Sequence, residues 1–320
     1  MTTFYLIRHA EAEGNLYRRM HGQYETMLTP NGMRQVAALA ERFRDLPIDA
    51  CYASDLLRTR TTAQAITVPK DLPLIPEPAF RELYVGIWEN TDFGDLQTFQ
   101  RPTMTTFSKD PKSWNVEGSE PYEAYTERFI SALKRIAAER EGQTVAVFSH
   151  AAVMRGVIMR LFPQQPVLPT DNTSVTKLEY ENGTFRLLFL NDNSHLPTEI
   201  STLAAKKAGS LRFEETDHLV WRVWEGETPC GKLVLREIDD RIGCLAYMEL
   251  DEPWRGCGRA VQLLGKAVFT FRDLGKSHLI IQKSQGLLDD LCRRMDLRPD
   301  ENGVCTMDIR LRMLPYVPQD

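Results

Sequence analysis

Apolar runs and amphipathic stretches alternate through the first two-thirds of this chain. Residues 4–7 (FYLI) form a continuous apolar run and read as a strand. Thr29-Pro30 caps a helix through about Arg44, with Val36, Leu39, Ala40 and Phe43 on one face. Residues 50–53 read as a second strand, and Ser54-Asp55 caps a helix reaching about Ile66. Residues 119–140 form a long amphipathic helix stopped near Gly142, and residues 144–148 form an apolar strand. A helix follows His150 as far as Phe162-Pro163, and two short strands flank Asn182-Gly183 as a hairpin. This alternation predicts an α/β domain, three-layered α/β/α, around a mainly parallel sheet.

Residues 191–202 are polar, contain Pro197, and mark a boundary. The reading is one domain over residues 1–195 and another over 203–315. In the second, the order of elements changes. Residues 219–224, 231–238 and 243–250 are successive strands, followed by a helix from about Arg259 to Leu274. A strand at 278–282, a helix at 286–295 and a closing strand complete a smaller α+β unit.

Composition agrees with two cores, since 320 residues is long for one. A hydrophobic content of 42% beside 26% charged residues is that of an ordinary globular protein. A net charge of -5 makes no electrostatic case for nucleic acid or an anionic membrane. An anionic substrate would therefore need a local basic cleft. The N-terminus lacks the pattern of a signal peptide, and no stretch approaches the ~20 apolar residues of a membrane span. Five of six cysteines (Cys230, Cys244, Cys257, Cys292, Cys305) lie in the last third without a CxxC pair. Reduced, buried thiols in a cytoplasmic protein are expected, rather than a zinc site or disulfides.

Arg8-His9 ends the first strand, and Ser149-His150 ends the strand at 144–148. Carboxyl ends of parallel strands share one sheet edge, where ligand crevices form. Arg58 would sit on the first helical turn after the second strand, at that same edge. Imidazole can attack phosphorus, and guanidinium can grip phosphate oxygens. Glu82, in the segment 81–88 (RELYVGIW), completes the set. Taken singly, each has a duller reading as a solvated charge; their shared edge favours phosphoryl chemistry.

These residues carry a family resemblance. Residues 6–15 (LIRHAEAEGN), 28–35 (LTPNGMRQ), 54–63, 82–88 and 148–151 resemble, in order, the motifs of the histidine phosphatase (phosphoglycerate mutase-like) superfamily. Ala10 and Ala151 stand where glycine is usual there. The resemblance implies that His9 becomes a phosphohistidine and that Arg8, Arg58 and His150 surround the phosphoryl oxygens. It further implies that Asn15 adds a donor and that Glu82 is the proton donor. It implies no metal, and a small phosphorylated metabolite as substrate. Hydrolysis is the expected reaction, with mutase-type transfer and a non-catalytic phospho-ligand sensor as alternatives. Arg18, Arg19 and His21 read as part of a basic lid or as a solvated loop. Tyr84, Trp88, Phe93 and Trp114 read as leaving-group contacts or as core.

The segment Trp254-Arg255-Gly256-Cys257-Gly258-Arg259-Ala260 opens the long helix of the second domain. It resembles the acyl-CoA pyrophosphate loop of GNAT-type acetyltransferases, whose Arg/Gln-x-x-Gly-x-Gly/Ala pattern is filled by Arg255, Gly258 and Ala260. That likeness implies CoA or acetyl-CoA as cofactor and an amine acceptor. Gln285 and Cys292 stand where that family often has Asn and Tyr, and Glu249 reads as a general base or a surface acid.

Overall fold

The computed structural model describes residues 1–166, 168–205, 208–282 and 287–318. The first domain runs β1 (Thr2–Arg8), α1 (Glu13–Tyr17), α2 (Pro30–Phe43), β2 (Ala50–Ala53), α3 (Leu57–Thr67), β3 (Leu74–Pro76), α4 (Phe93–Phe99), α5 (Arg101–Lys109), α6 (Tyr122–Glu139), β4 (Thr144–Ser149), α7 (Ala151–Leu161), β5 (Val175–Glu181) and β6 (Thr184–Asp192). The second runs β7 (Leu211–Asp217), β8 (Val220–Glu225), β9 (Thr228–Glu237), β10 (Ile242–Leu250), α8 (Ala260–Asp273), β11 (His278–Gln282), α9 (Leu287–Arg294) and β12 (Val304–Asp308).

The first sheet has the order β3-β2-β4-β1-β5-β6. Its first four strands are parallel, and the hairpin β5–β6 joins antiparallel at β1. The central strands are buried on both faces, which is why they read as unbroken apolar runs. Alternate side chains enter different cores. Phe4, Leu6, Val145 and Val147 pack with α6 and α7, whereas Tyr5, Ile7, Ala146 and Phe148 pack with α2 and α3.

The second sheet has the order β12-β11-β10-β9-β8-β7. Only β10 and β11 are parallel among its pairs, and α8 makes the crossover between them. Their pairing is described as far as Leu245↔Ile281, one residue short of the end of β11.

Several boundaries differ from the sequence reading. Helix α3 starts at Leu57 with Leu56 at its N-cap, because Ser54 Oγ faces His150 and Asp55 pairs with Arg81. Helix α6 starts at Tyr122, because Pro121 keeps the preceding residue extended. Strand β7 was not anticipated, nor were α1, β3, α4 and α5. Three of the five late cysteines expected to be buried are so (Cys230, Cys244 and Cys305), but Cys257 is exposed and Cys292 half-buried. No described helix is long and apolar enough to cross a membrane.

The two domains pack against each other through buried side chains. Leu16 and Tyr17 of α1 lie within the second domain's core, and the Tyr17 ring covers Gly265 of α8. Arg272 donates to both carboxylate oxygens of Glu13, each at 2.7 Å, and both side chains are buried. The connector is tied down as well: Asp171 accepts from Ser201 Oγ (2.5 Å), Thr202 Oγ1 (2.6 Å) and the Leu203 N–H (3.1 Å). The C-terminal segment returns to the first domain, where Gln64 bonds the backbone of Leu314 and Tyr316.

Candidate active site

Arg8 of β1 is in register with Ser149 of β4, so His9 and His150 leave the same sheet edge side by side. Their rings lie 5.2 Å apart, centroid to centroid, and both are buried. Strand β2 ends beside them, and Ser54 Oγ sits 2.9 Å from His150 Nε2. Arg58, the second residue of α3, is buried at this edge and donates to the Tyr24 (3.0 Å) and Gly22 (2.7 Å) carbonyls.

His9 Nδ1 lies 2.7 Å from the Ala10 carbonyl oxygen. A carbonyl can only accept, so Nδ1 carries the hydrogen and Nε2 presents its lone pair. Burial holds the pKa of His9 well below the ordinary imidazole value, and the Arg58 and Arg8 charges push it further down. His150 and His21 are lowered for the same first reason, with Arg58 again the leading charge. All three are neutral near pH 7. Burial lowers Arg58 to about 10, still cationic at neutrality.

Arg8 donates to the Thr170 carbonyl at 2.7 Å. Four buried nitrogens here lack a hydrogen-bond partner among the described residues: Arg8 Nε, Arg58 Nε, His150 Nδ1 and His21 Nε2. Such atoms normally find partners, and several at one spot suit a polyanion with many acceptor oxygens. Glu82 reaches the same place. Its carboxylate accepts from the Ala152 (3.1 Å) and Val153 (2.7 Å) amides at the start of α7, next to His150. It is also the leading negative charge acting on Arg8 and Arg58.

Neighbouring motif residues build the walls. Glu11 accepts from Thr29 Oγ1 (2.6 Å) and Asn31 Nδ2 (3.3 Å), fastening the loop after His9 to the start of α2. A Cβ on Gly32 would overlap the Glu11 carbonyl, which fixes glycine there. Glu89 accepts the Gln23, Tyr24 and Val85 amides and so holds the loop that Arg58 grips. Ala10 is fully buried and donates its N–H to Thr62, so a small side chain is accommodated where glycine was expected.

Asn15 spends its side-chain oxygen on the Ala12 amide (3.0 Å), leaving its NH2 end toward the cavity it lines. Two supporting residues escaped the sequence reading. Thr170 holds Arg8, and Asn172 donates to the His9 carbonyl at 2.9 Å. The polar run 171–174, wholly buried before β5, was the available signal.

The basic loop is neither a solvated loop nor a lid. Arg19 is buried and paired with Asp92, Arg18 reaches Ser210 of the connector, and the His21 ring packs over Gly14. Of the four aromatics, Trp88 and Trp114 belong to the core, Tyr84 is exposed, and Phe93 lines a cavity beside Arg8.

In the second domain, Arg255, Gly256, Gly258, Arg259 and Ala260 line a cavity of about 260 Å³ together with Leu250 and Leu291. Gly256 (φ 68) and Gly258 (φ 77) occupy the left-handed region that favours glycine. Arg255 turns back onto the Leu250 carbonyl, and Arg259 pairs with Glu225, so neither guanidinium is free. Cys257 lies on the far side of the loop, facing the cavity beside Arg8. Cys292 approaches Cys305, their sulfurs 3.3 Å apart, and Glu249 bonds Tyr247 and Arg255. Gln285 lies outside the described residues.

Comparison with known proteins bears on the first domain. The chain is 28% identical over 200 residues to a metal-independent phosphoserine phosphatase of Arabidopsis thaliana, covering 61% of this chain and 84% of that one. It is also 28% identical over 188 residues to a probable phosphoglycerate mutase of Proteus mirabilis, covering 57% of this chain and 87% of that protein. The solved structure of YhfR from Bacillus stearothermophilus superposes with a TM-score of 0.57 at 27% identity, over 61% of this chain and 99% of that one. The profile of the histidine phosphatase superfamily (branch 1) matches residues 4–193, the span that supplies both imidazoles, and the chain belongs to that superfamily.

Proposed function

We propose that the first domain hydrolyses phosphomonoesters through a phosphohistidine on His9. The observation that carries this reading is the fixed tautomer of His9 beside unpartnered donors of Arg8, Arg58 and His150. Nε2 attacks phosphorus, the P–N bond forms, and the P–O bond to the leaving group breaks. Arg8, Arg58, His150 and Asn15 surround the non-bridging oxygens, where preorganised donors lower the barrier. Glu82 gives its proton to the leaving oxygen. It then takes one from the water that cleaves the P–N bond, releasing inorganic phosphate.

The named relatives include a phosphatase and a probable mutase at equal identity, so substrate turnover must separate the two reactions. Inorganic phosphate released from p-nitrophenyl phosphate or phosphoserine, and lost in His9→Ala, supports hydrolysis. Interconversion of 2- and 3-phosphoglycerate without phosphate release supports transfer.

For the second domain we propose acyl-CoA binding at the loop of residues 254–260. The two left-handed glycines before α8 and the cavity that the loop lines support it. The backbone N–H groups of Gly256–Ala260 would hold the pyrophosphate, and the bound thioester would supply the acyl group. CoA at millimolar concentration should raise the thermal midpoint of the full chain. An unchanged midpoint would remove the assignment.

A further inference from the structure

We propose that the second domain walls the substrate site of the first, where Arg18 and Arg294 form a subsite for a second anionic group on the leaving part of the substrate. This rests on His9 being the phosphoryl acceptor. A cavity of about 280 Å³ begins at Arg8 and runs into the domain interface. The first domain contributes Asn15, Arg18 and Asn172; the second contributes Gly258, Gln262 and Arg294. Ligand pockets for drug-sized molecules span roughly 300–1,000 Å³. This volume suits a small metabolite.

Charge decides what kind of metabolite. Three guanidiniums line the cavity, and none has a carboxylate partner among the described residues. Arg8 bonds Thr170, and Arg18 bonds Ser210 Oγ (3.0 Å) while lying over the Phe93 ring at 5.2 Å. Arg294 makes no salt bridge among the described residues. Elsewhere the contrast is clear: Arg19, Arg42, Arg81, Arg128, Arg259 and Arg272 are each paired with an acid. The acid on the cavity wall, Glu11, is already engaged by Thr29 and Asn31. Three guanidiniums beside one acid that is already engaged, beyond the phosphoryl position, are matched to a further carboxylate or phosphate.

Two backbone features hold this arrangement. Arg18 caps α1 in the left-handed conformation (φ 60, ψ 51), which non-glycine residues rarely adopt, and its side chain reaches the connector at Ser210. The Arg294 guanidinium passes 3.1 Å from where a Cβ would stand on Gly258, whose φ of 77 favours glycine, so the loop and the arginine pack closely. Arg294 also reaches across the boundary electrostatically, acting on Glu11 of the first domain.

The test compares esters on the full chain. O-phosphoserine and 3-phosphoglycerate carry a carboxylate, propane-1,3-diol bisphosphate a second phosphate, and glycerol 3-phosphate neither. The ratio of kcat/KM for a doubly anionic ester to that for glycerol 3-phosphate should exceed tenfold. Arg294→Gln should cut this ratio at least tenfold, chiefly through KM. A ratio near one, or one unmoved by Arg294→Gln, overturns the subsite. The carboxylate and bisphosphate arms tell which anion is preferred. Should the wild-type chain release phosphate from none of these esters, hydrolysis fails as a reading. Calorimetric binding of 3-phosphoglycerate then decides the subsite: a Kd weakened tenfold by Arg294→Gln upholds it, and an unchanged Kd overturns it.

Discussion

Replacing Arg58 with alanine tests whether one buried cation serves the reaction and tunes the imidazoles together. Arg58 is the leading charge that lowers His9, His150 and His21, and its Nε faces no protein partner. Loss of a comparable preorganised donor costs about 2.7–4 kcal/mol, or 10²–10³ in kcat. The arginine also makes two charge-assisted bonds to the Gly22 and Tyr24 carbonyls, at about 1.5–3 kcal/mol each. The melting curve must therefore be recorded beside the rate. Removing the positive charge lets all three imidazole pKa values rise toward about 6.5. Attack needs neutral His9, so the acid limb of kcat/KM should move to higher pH in Arg58→Ala. Initial rates with p-nitrophenyl phosphate across pH, on folded protein, supply both readouts. A rate loss below tenfold, or an acid limb that stays put, would refute the argument; Arg58→Lys should restore the limb before it restores the rate.

Arg272→Ala strands Glu13 as a buried, unpaired acid and should cost about 3–5 kcal/mol in urea unfolding. The double variant Glu13→Gln/Arg272→Met should recover most of that loss, and a single-variant cost below about 1 kcal/mol would contradict the buried pair. Gly32→Ala drives a Cβ into the Glu11 carbonyl, so stability should fall by about 1–3 kcal/mol with activity falling alongside, as melting and rate measurements would show. The three lowered imidazoles give a sign to the pH dependence of stability. Below the unfolded value of about 6.5 the unfolded chain binds more protons than the folded one, so stability falls as pH drops and is level above it with respect to these groups. Three groups allow a slope of up to about 4 kcal/mol per pH unit; urea titrations showing no slope between about pH 7 and 5.5 would count against neutral burial.

The central elements were legible because each sits in a setting that writes itself into the chain. Strands β1 and β4 are buried on both faces and so are apolar throughout, and α2 carries Thr29-Pro30 at its start. The strand-end rule then placed His9 and His150 together. Strand β7 was illegible because LRFEETD, on the outer edge of its sheet, is mostly exposed and has no clean alternation. Helix α1 is five residues with no side-chain cap, and α5 has no fully buried residue. His21 reads as solvated because its flanks are polar, and only the docking of Gly14 beneath it shows otherwise. The cavity between domains had no local signature, since Arg18 and Arg294 are 276 positions apart (294 − 18) and meet only through the packing of α1 on α8.

The Asp171 tether bears on how this chain can be divided. One loop fastens the connector through Asp171 while its neighbours Thr170 and Asn172 brace Arg8 and the His9 backbone. Severing the chain near residue 195 would take away Ser201, Thr202 and Leu203, which hold Asp171 between those two residues, and uncover Leu16, Tyr17 and a lone Glu13. The amino-terminal half made alone should then be sticky and poorly braced at its catalytic edge, so expression trials should keep the connector and α8 attached.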